Sequence, residues 1–250
     1  MQHNPAKQKL LKGKPAIGTF VAMRSGLAAA MVARAGCDYV LIDNQHGEWD
    51  DASRIEAIRA VYLQNVVPMT RVRANDYGLI GRALDSGILG VIVPMVNSAE
   101  EAKAAAYAMR YAPRGGRSTA DNLAAQFGSD YGAWANDEVF LAVQIETAEA
   151  VANAEAIMAV DGVDACLLGP ADLALSMGTV QGTPEHTDAV LQVLEACRRT
   201  GKIPGIFAGT SALARRWIEA GYLFVTVGAG ARLLETAVRQ TLQEVGVPAG

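Results

Sequence analysis

Apolar residues along the chain fall into short, nearly unbroken runs, separated by longer stretches in which they recur every three or four positions. The runs cover 16–23, 39–46, 67–72, 90–96, 139–147, 165–172, 203–210 and 223–230. Continuous apolarity over so few residues predicts strands buried on both faces of a parallel sheet. The stretches 27–35, 98–111, 148–160, 184–200 and 212–220 are rich in Ala and Leu and predict helices. Ser98-Ala99-Glu100-Glu101 reads as a capping box, and Gly36, Gly201 and Gly221 stand where a left-handed residue closes a helix.

Eight strand–helix alternations spaced by about 25 residues predict an α/β fold of the (β/α)8 TIM-barrel type, a single domain over 1–250. An open doubly wound sheet is the competing fold. It would carry fewer strands and a glycine fingerprint after the first, where this chain has Arg24-Ser25-Gly26. Two segments stand outside the repeat. Residues 1–14 read as an N-terminal tail, and 112–137 as a long connection beyond the fourth strand, either a lid over a substrate or an inserted surface helix.

Charge narrows the partners. The net charge is -4 over 250 residues, and no basic stripe of the kind a nucleic-acid surface needs is present. The three cysteines, Cys37, Cys166 and Cys197, follow no metal-ligand spacing, and Cys37 and Cys166 lie among apolar neighbours. Reduced thiols, no leader-like N-terminus and no apolar run near the roughly 20 residues of a membrane span predict a cytoplasmic protein without a membrane partner.

Barrel enzymes place their chemistry at the C-terminal ends of the strands. Here these ends supply Asp43 and His46, then Arg71, Gln144 and Glu146, then Gly169-Pro170-Ala171-Asp172. Glu146 and Asp172 close consecutive strands. Two carboxylates on one rim repel unless a cation lies between them, and oxygen ligands suit Mg²⁺ or Mn²⁺; the alternative is that one of them caps the helix that follows. Gly169 to Asp172 form a strand-to-helix turn whose N–H groups suit a carboxylate. Arg71, a permanent cation in a buried strand, suits a keto oxygen or an enolate, or else an internal salt bridge. His46 suits a general base or a merely hydrogen-bonded side chain, whereas His3 and His186 are expected to be exposed. The predicted strands contain no lysine, which argues against a Schiff-base route.

The ordered set Asp43-x-x-His46, Arg71, Gly90-Val91-x-Val93-Pro94-Met95-Val96, Arg110-Tyr111-x-Pro113, Gln144-Ile145-Glu146-Thr147 and Gly169-Pro170-Ala171-Asp172-Leu173 resembles the HpcH/HpaI family of class II pyruvate aldolases over about Lys14 to Val245, close to a whole barrel. The resemblance implies a divalent metal (Mg²⁺, Mn²⁺ or Co²⁺) on Glu146 and Asp172. It implies a 2-oxo acid, pyruvate or hydroxypyruvate, touching Gln144, Ala171 and Asp172, and an aldehyde as second reactant. Arg71 would stabilise the enolate, His46 would be the base, and an acid matching Asp85 would tune that histidine. Asp85 lies just before the fourth strand, so it would have to serve a neighbouring subunit, in keeping with the family's hexamers, trimers of dimers with exchanged C-terminal helices. Gln45 before the histidine, Gly115-Gly116-Arg117-Ser118 in the long connection and Phe207 depart from the family's usual residues. A citrate-forming or acyl-CoA-dependent lyase using the same enolate chemistry is one rival, and a non-catalytic metabolite-binding barrel another.

Overall fold

The computed structural model describes residues 4–120 and 122–247. Along the chain these form α1 (Pro5–Leu11), β1 (Ala16–Val21), α2 (Gly26–Arg34), β2 (Tyr39–Asp43), α3 (Asp51–Tyr62), β3 (Val67–Arg71), α4 (Tyr77–Asp85), β4 (Gly90–Val93), α5 (Ala99–Met109), α6 (Asn122–Phe127), α7 (Tyr131–Glu138), β5 (Phe140–Ile145), α8 (Ala148–Ala152), α9 (Ala154–Met158), β6 (Ala165–Leu168), α10 (Pro170–Ser176), α11 (Pro184–Thr200), β7 (Gly205–Ala208), α12 (Ser211–Ala220), β8 (Phe224–Ala229) and α13 (Gly230–Glu244). The strands close into a parallel barrel in sequence order, β8 pairing with β1. All eight predicted strands form, each shorter than its apolar run because the last residues of the run turn off the sheet into the loops.

Period-two alternation divides each strand between two cores. In β2, Tyr39 and Leu41 point into the barrel while Val40 and Ile42 pack under the helices; in β5, Phe140 and Ala142 point in while Leu141, Val143 and Ile145 point out. The interior is filled by side chains rather than left as a pore. Tyr39 stacks on Phe224 with ring centroids 4.7 Å apart, and its hydroxyl meets Thr226 Oγ1 at 2.8 Å. Gly18 makes room for that ring, because a Cβ there would lie 2.2 Å from it.

The helices begin on side-chain caps: Ser25, Asp50, Asp76, Ser98, Thr147, Thr183 and Thr210 each accept from a backbone N–H one turn ahead. At Ser98 only half of the expected capping box forms. Glu101 Oε2 accepts from the N–H of Asn97 at 2.6 Å, one residue before the cap. Gly201 and Gly221 close α11 and α12 in the left-handed conformation, and Gly36 has a positive φ just past α2.

Residues 5–14, read as a tail, instead include α1, which plugs the foot of the barrel with Ala6 and Leu10. Asn4 caps this helix, and its own N–H donates to Glu138. Lys7 is buried, donates to the carbonyl of Val139 at 2.7 Å and pairs with Asp164 at 3.0 Å. The connection 112–137 is likewise structured where described. It leaves the C-terminal end of α5, forms α6 and most of α7, and packs Leu123, Phe127, Tyr131 and Ala135 with Leu89 into a satellite core. It therefore lies toward the foot of its own barrel, and the lid expectation is corrected in favour of inserted helices. Cys166 and Cys197 are buried thiols, and burial pushes the Cys37 thiol up to about 11. His186, expected at the surface, is 2% exposed. His3 falls outside the described residues. Among the described residues no helix is long and apolar enough to cross a membrane.

Because Lys7 and Asp164 form a pair largely removed from water at the foot, Lys7→Met should destabilise the fold by about 3 kcal/mol, the range for breaking a buried ion pair one-sidedly. Urea denaturation of the variant against the unaltered protein measures this.

Candidate active site

The inward stripe of each strand continues past the apolar stack into polar residues. Above Leu41 comes Asp43, above Met69 comes Arg71, and above Ala142 come Gln144 and Glu146. All four are buried. Sheet register places Asp43 beside Arg71, so the two side chains meet on the same inner face.

The guanidinium of Arg71 grips Asp43 with two donors, Nε to Oδ1 at 2.9 Å and Nη2 to Oδ2 at 2.7 Å. Nη1 reaches Gln144 Oε1 at 3.4 Å. Gln144 Nε2 donates to Glu146 Oε2 at 2.5 Å, and the other Glu146 oxygen accepts the N–H of Met95 at 2.9 Å. A continuous hydrogen-bonded line thus runs from β2 through β3 and β5 to the loop after β4. Met95 achieves its contact at φ +55, a left-handed backbone that an unbranched side chain adopts only when its surroundings hold it there. Phe20 lies under Arg71, with the guanidinium carbon 4.8 Å from the ring centroid, and Phe207 meets Phe20 edge-on at 5.6 Å.

Burial raises the Glu146 carboxyl above the ordinary glutamate value. The Met95 N–H opposes this, the Asp172 charge adds to it, and Arg71 and Gln144 oppose it further. Asp172, exposed in the first turn of α10, therefore acts on Glu146 as a like charge. Neither carboxylate caps a helix: Thr147 caps α8, and α10 starts at Gly169 with no side-chain cap. Gly169 lies against the pair, since a Cβ on it would stand 3.0 Å from Glu146 Oε2 and 3.2 Å from Gln144 Nε2. Any side chain there would occupy the space that Glu146 faces.

The structure brings together Asp43, Arg71, Gln144, Glu146, Gly169 and, electrostatically, Asp172. Both readings of Arg71 hold in part, for it forms a buried salt bridge while its Nη1 edge turns to Gln144. Asp43 is fully engaged. Besides Arg71, its Oδ1 accepts from the N–H groups of Gln45 at 3.1 Å and His46 at 3.4 Å, so it shapes the turn that presents His46, which is exposed. Asp85 is not part of this cluster. It ends α4 at the foot of the barrel and pairs with Arg117 at 3.2 Å. Among the described residues no group of three or more His, Cys, Asp or Glu side chains converges. Sequence reasoning missed Phe20, which the two-residue period from Gly18 could have flagged; it quoted Met95 only within the family set and did not foresee its bond to Glu146, because its positive φ has no local signal.

Comparison with known proteins supplies the family. Residues 16–237 match the family described as HpcH/HpaI aldolase/citrate lyase. The hydroxypyruvate/pyruvate aldolase of Cupriavidus necator is 39% identical over 246 residues, covering 95% of this chain and 91% of that protein. A 4-hydroxy-2-oxo-heptane-1,7-dioate aldolase of Escherichia coli is 37% identical over 253 residues, covering 98% and 96%. The crystal structure of a family protein from Burkholderia cenocepacia superposes with a TM-score of 0.92 at 37% identity, covering 97% of this chain and 99% of that one. The chain belongs to the HpcH/HpaI aldolase/citrate lyase family.

Proposed function

We propose that this aldolase-family enzyme joins a 2-oxo acid, pyruvate or hydroxypyruvate, to an aldehyde, and cleaves the product in reverse, with a divalent cation held by Glu146 and Asp172. The observation that carries the reading is the charge balance of the rim. Arg71 is engaged with Asp43, while Glu146 and Asp172 repel and neither forms an ion pair among the described residues. Both Glu146 oxygens already accept one hydrogen bond each, which orients the carboxylate and leaves lone pairs for a cation. Two oxygen ligands suit Mg²⁺, Mn²⁺ or Co²⁺ completed by water and substrate.

When bound, the cation would supply Lewis acidity that makes the C–H beside the keto group easier to ionise. The chain's residues do the rest. Arg71, held rigid by Asp43 and Phe20, stabilises the negative charge that develops on the keto oxygen. Gln144 orients the 2-oxo acid, and the N–H groups of Ala171 and Asp172 bind its carboxylate, with Gly169 and Pro170 shaping the turn. His46, presented by the Asp43 turn, takes the proton and returns it to the aldehyde oxygen in the addition step. Asp85 serves the site of a neighbouring copy in an oligomer. A monomeric form with full activity would overturn that assignment.

The decisive assay uses chelator-stripped protein with pyruvate or hydroxypyruvate and a panel of aldehydes, with and without added metal. Carbon–carbon bond formation should return only with metal. Activity untouched by chelation sinks the reading, and CoA release from an acyl-CoA donor in its place moves the chain to the citrate-forming side of the family.

Two variants check the roles. Added Mn²⁺ should raise the melting temperature of the unaltered protein, because a ligand that binds only the folded state stabilises it; in Glu146→Gln the increment should vanish while the fold persists. Arg71→Lys should lower kcat roughly 10²-fold, the scale for losing one donor aimed at developing charge. Its Mn²⁺ affinity should stay unchanged in a calorimetric titration.

A further inference from the structure

His186 is buried beneath the rim and no step above uses it. It sits in the first turn of α11, where its own N–H donates to the capping hydroxyl of Thr183 at 3.3 Å. Its Nδ1 accepts the N–H of Gly182, also at 3.3 Å. The ring proton therefore belongs on Nε2, which donates to the carbonyl oxygen of Pro170 at 2.8 Å. Pro170 opens α10, between Gly169, which lies against Glu146, and Asp172.

We propose that His186 is a positioning residue, a strut from α11 that fixes the Gly169–Asp172 turn and so sets Asp172 opposite Glu146. The inference rests on the metal-dependent reading of that pair. Two backbone bonds hold the turn at Gly169, whose N–H donates to the carbonyl of Ile145 and whose carbonyl accepts from Leu173, both at 3.0 Å, but neither reaches Pro170. α10 has seven residues and no side-chain cap, and Pro170 has no N–H of its own, so its carbonyl is the backbone handle at this point. An imidazole suits the task. It is short, planar and stiff, it accepts with one nitrogen and donates with the other, and both are engaged here. A purely apolar side chain of similar size would fill the space and leave the turn free to shift, and a shift of about 1 Å is enough to spoil a ligand site.

The test separates packing from positioning. His186→Leu keeps the volume and loses both hydrogen bonds, His186→Asn keeps an acceptor for Gly182 but is too short to reach Pro170, and His186→Gln keeps a donor long enough to reach it. Mn²⁺ binding to chelator-stripped protein is measured by calorimetry, and steady-state constants are measured for the 2-oxo acid and the aldehyde separately. For Leu and Asn, Kd for Mn²⁺ and KM for the 2-oxo acid should each rise at least about tenfold, the usual effect of removing a group that orients a metal ligand. KM for the aldehyde should stay within about twofold in both variants, and Gln should recover most of the loss, as expected for an orienting hydrogen bond. Should Leu fail to fold, Asn against Gln carries the same comparison. Variants that fold, bind Mn²⁺ and the 2-oxo acid as the unaltered protein does, and lose only melting temperature or active fraction would overturn the inference. Unaltered protein that binds no Mn²⁺ would instead overturn the metal reading itself, so the two failures are told apart.

Discussion

A guanidinium removed from water at the top of an aliphatic stack is the constraint around which the rest of the site is arranged. Arg71 is 7% exposed and stands directly above Met69 in the barrel interior. A charge in that position is tolerated only if it is paired and its donors are used. Asp43 meets the requirement because parallel register between β2 and β3 sets the two residues side by side with the same parity. Once Asp43 is committed to Arg71, its remaining lone pairs close the turn through Gln45 and His46. The pairing that keeps Arg71 charged therefore also decides where the histidine is offered.

The same pairing explains why the other rim charges are left over. With Asp43 spent on Arg71, no cationic side chain among the described residues forms an ion pair with Glu146, whose oxygens receive neutral N–H donors from Gln144 and Met95. Neutral donors orient a carboxylate without cancelling its charge. Burial and the nearby Asp172 then raise the Glu146 carboxyl, a cost that a bound cation would offset. The strained Met95 backbone belongs to the same balance, since it turns an N–H onto the Glu146 carboxylate.

How much of this was legible depends on whether the controlling interaction is periodic. Strand parity is periodic, so Gln144 and Glu146 could be placed on one face from their spacing, and the barrel followed from eight repeats of one unit; Asp43 and Arg71 meet only through the register of β2 on β3. Capping residues are local, and Ser98 and Gly201 were read correctly, although Glu101 shifted its bond by one residue. What failed was long-range. Lys7 reads as a solvated charge in a basic tail until β5 and Asp164 are brought beneath it. His186 follows Pro184 and Glu185, a polar helix start, and only the approach of α10 buries it. The connection 112–137 looked irregular because its aromatic residues, Phe127, Tyr131 and Trp134, are spaced to pack on Leu89 and Tyr62 rather than on a regular neighbour.

These long-range contacts also divide labour along the barrel axis. Asn4, Lys7, Glu138 and Asp164 close the foot with an ion pair and hydrogen bonds to the backbone. At the rim, by contrast, polar side chains are spent on one another in a line that ends at a repelling carboxylate pair. Barrels of this type keep stability and chemistry at opposite ends, which lets one change without the other. In this chain the two ends communicate through the inward stripe of each strand, where Tyr39, Leu41 and Asp43 are successive positions of one β-strand. A change of register by one residue would turn Asp43 and Arg71 outward together with the core beneath them. The strand-borne part of the site, Asp43, Arg71, Gln144 and Glu146, is therefore enforced by the packing of the aliphatic stack, whereas Asp172 rides on α10 beyond the strands and needs a support of its own.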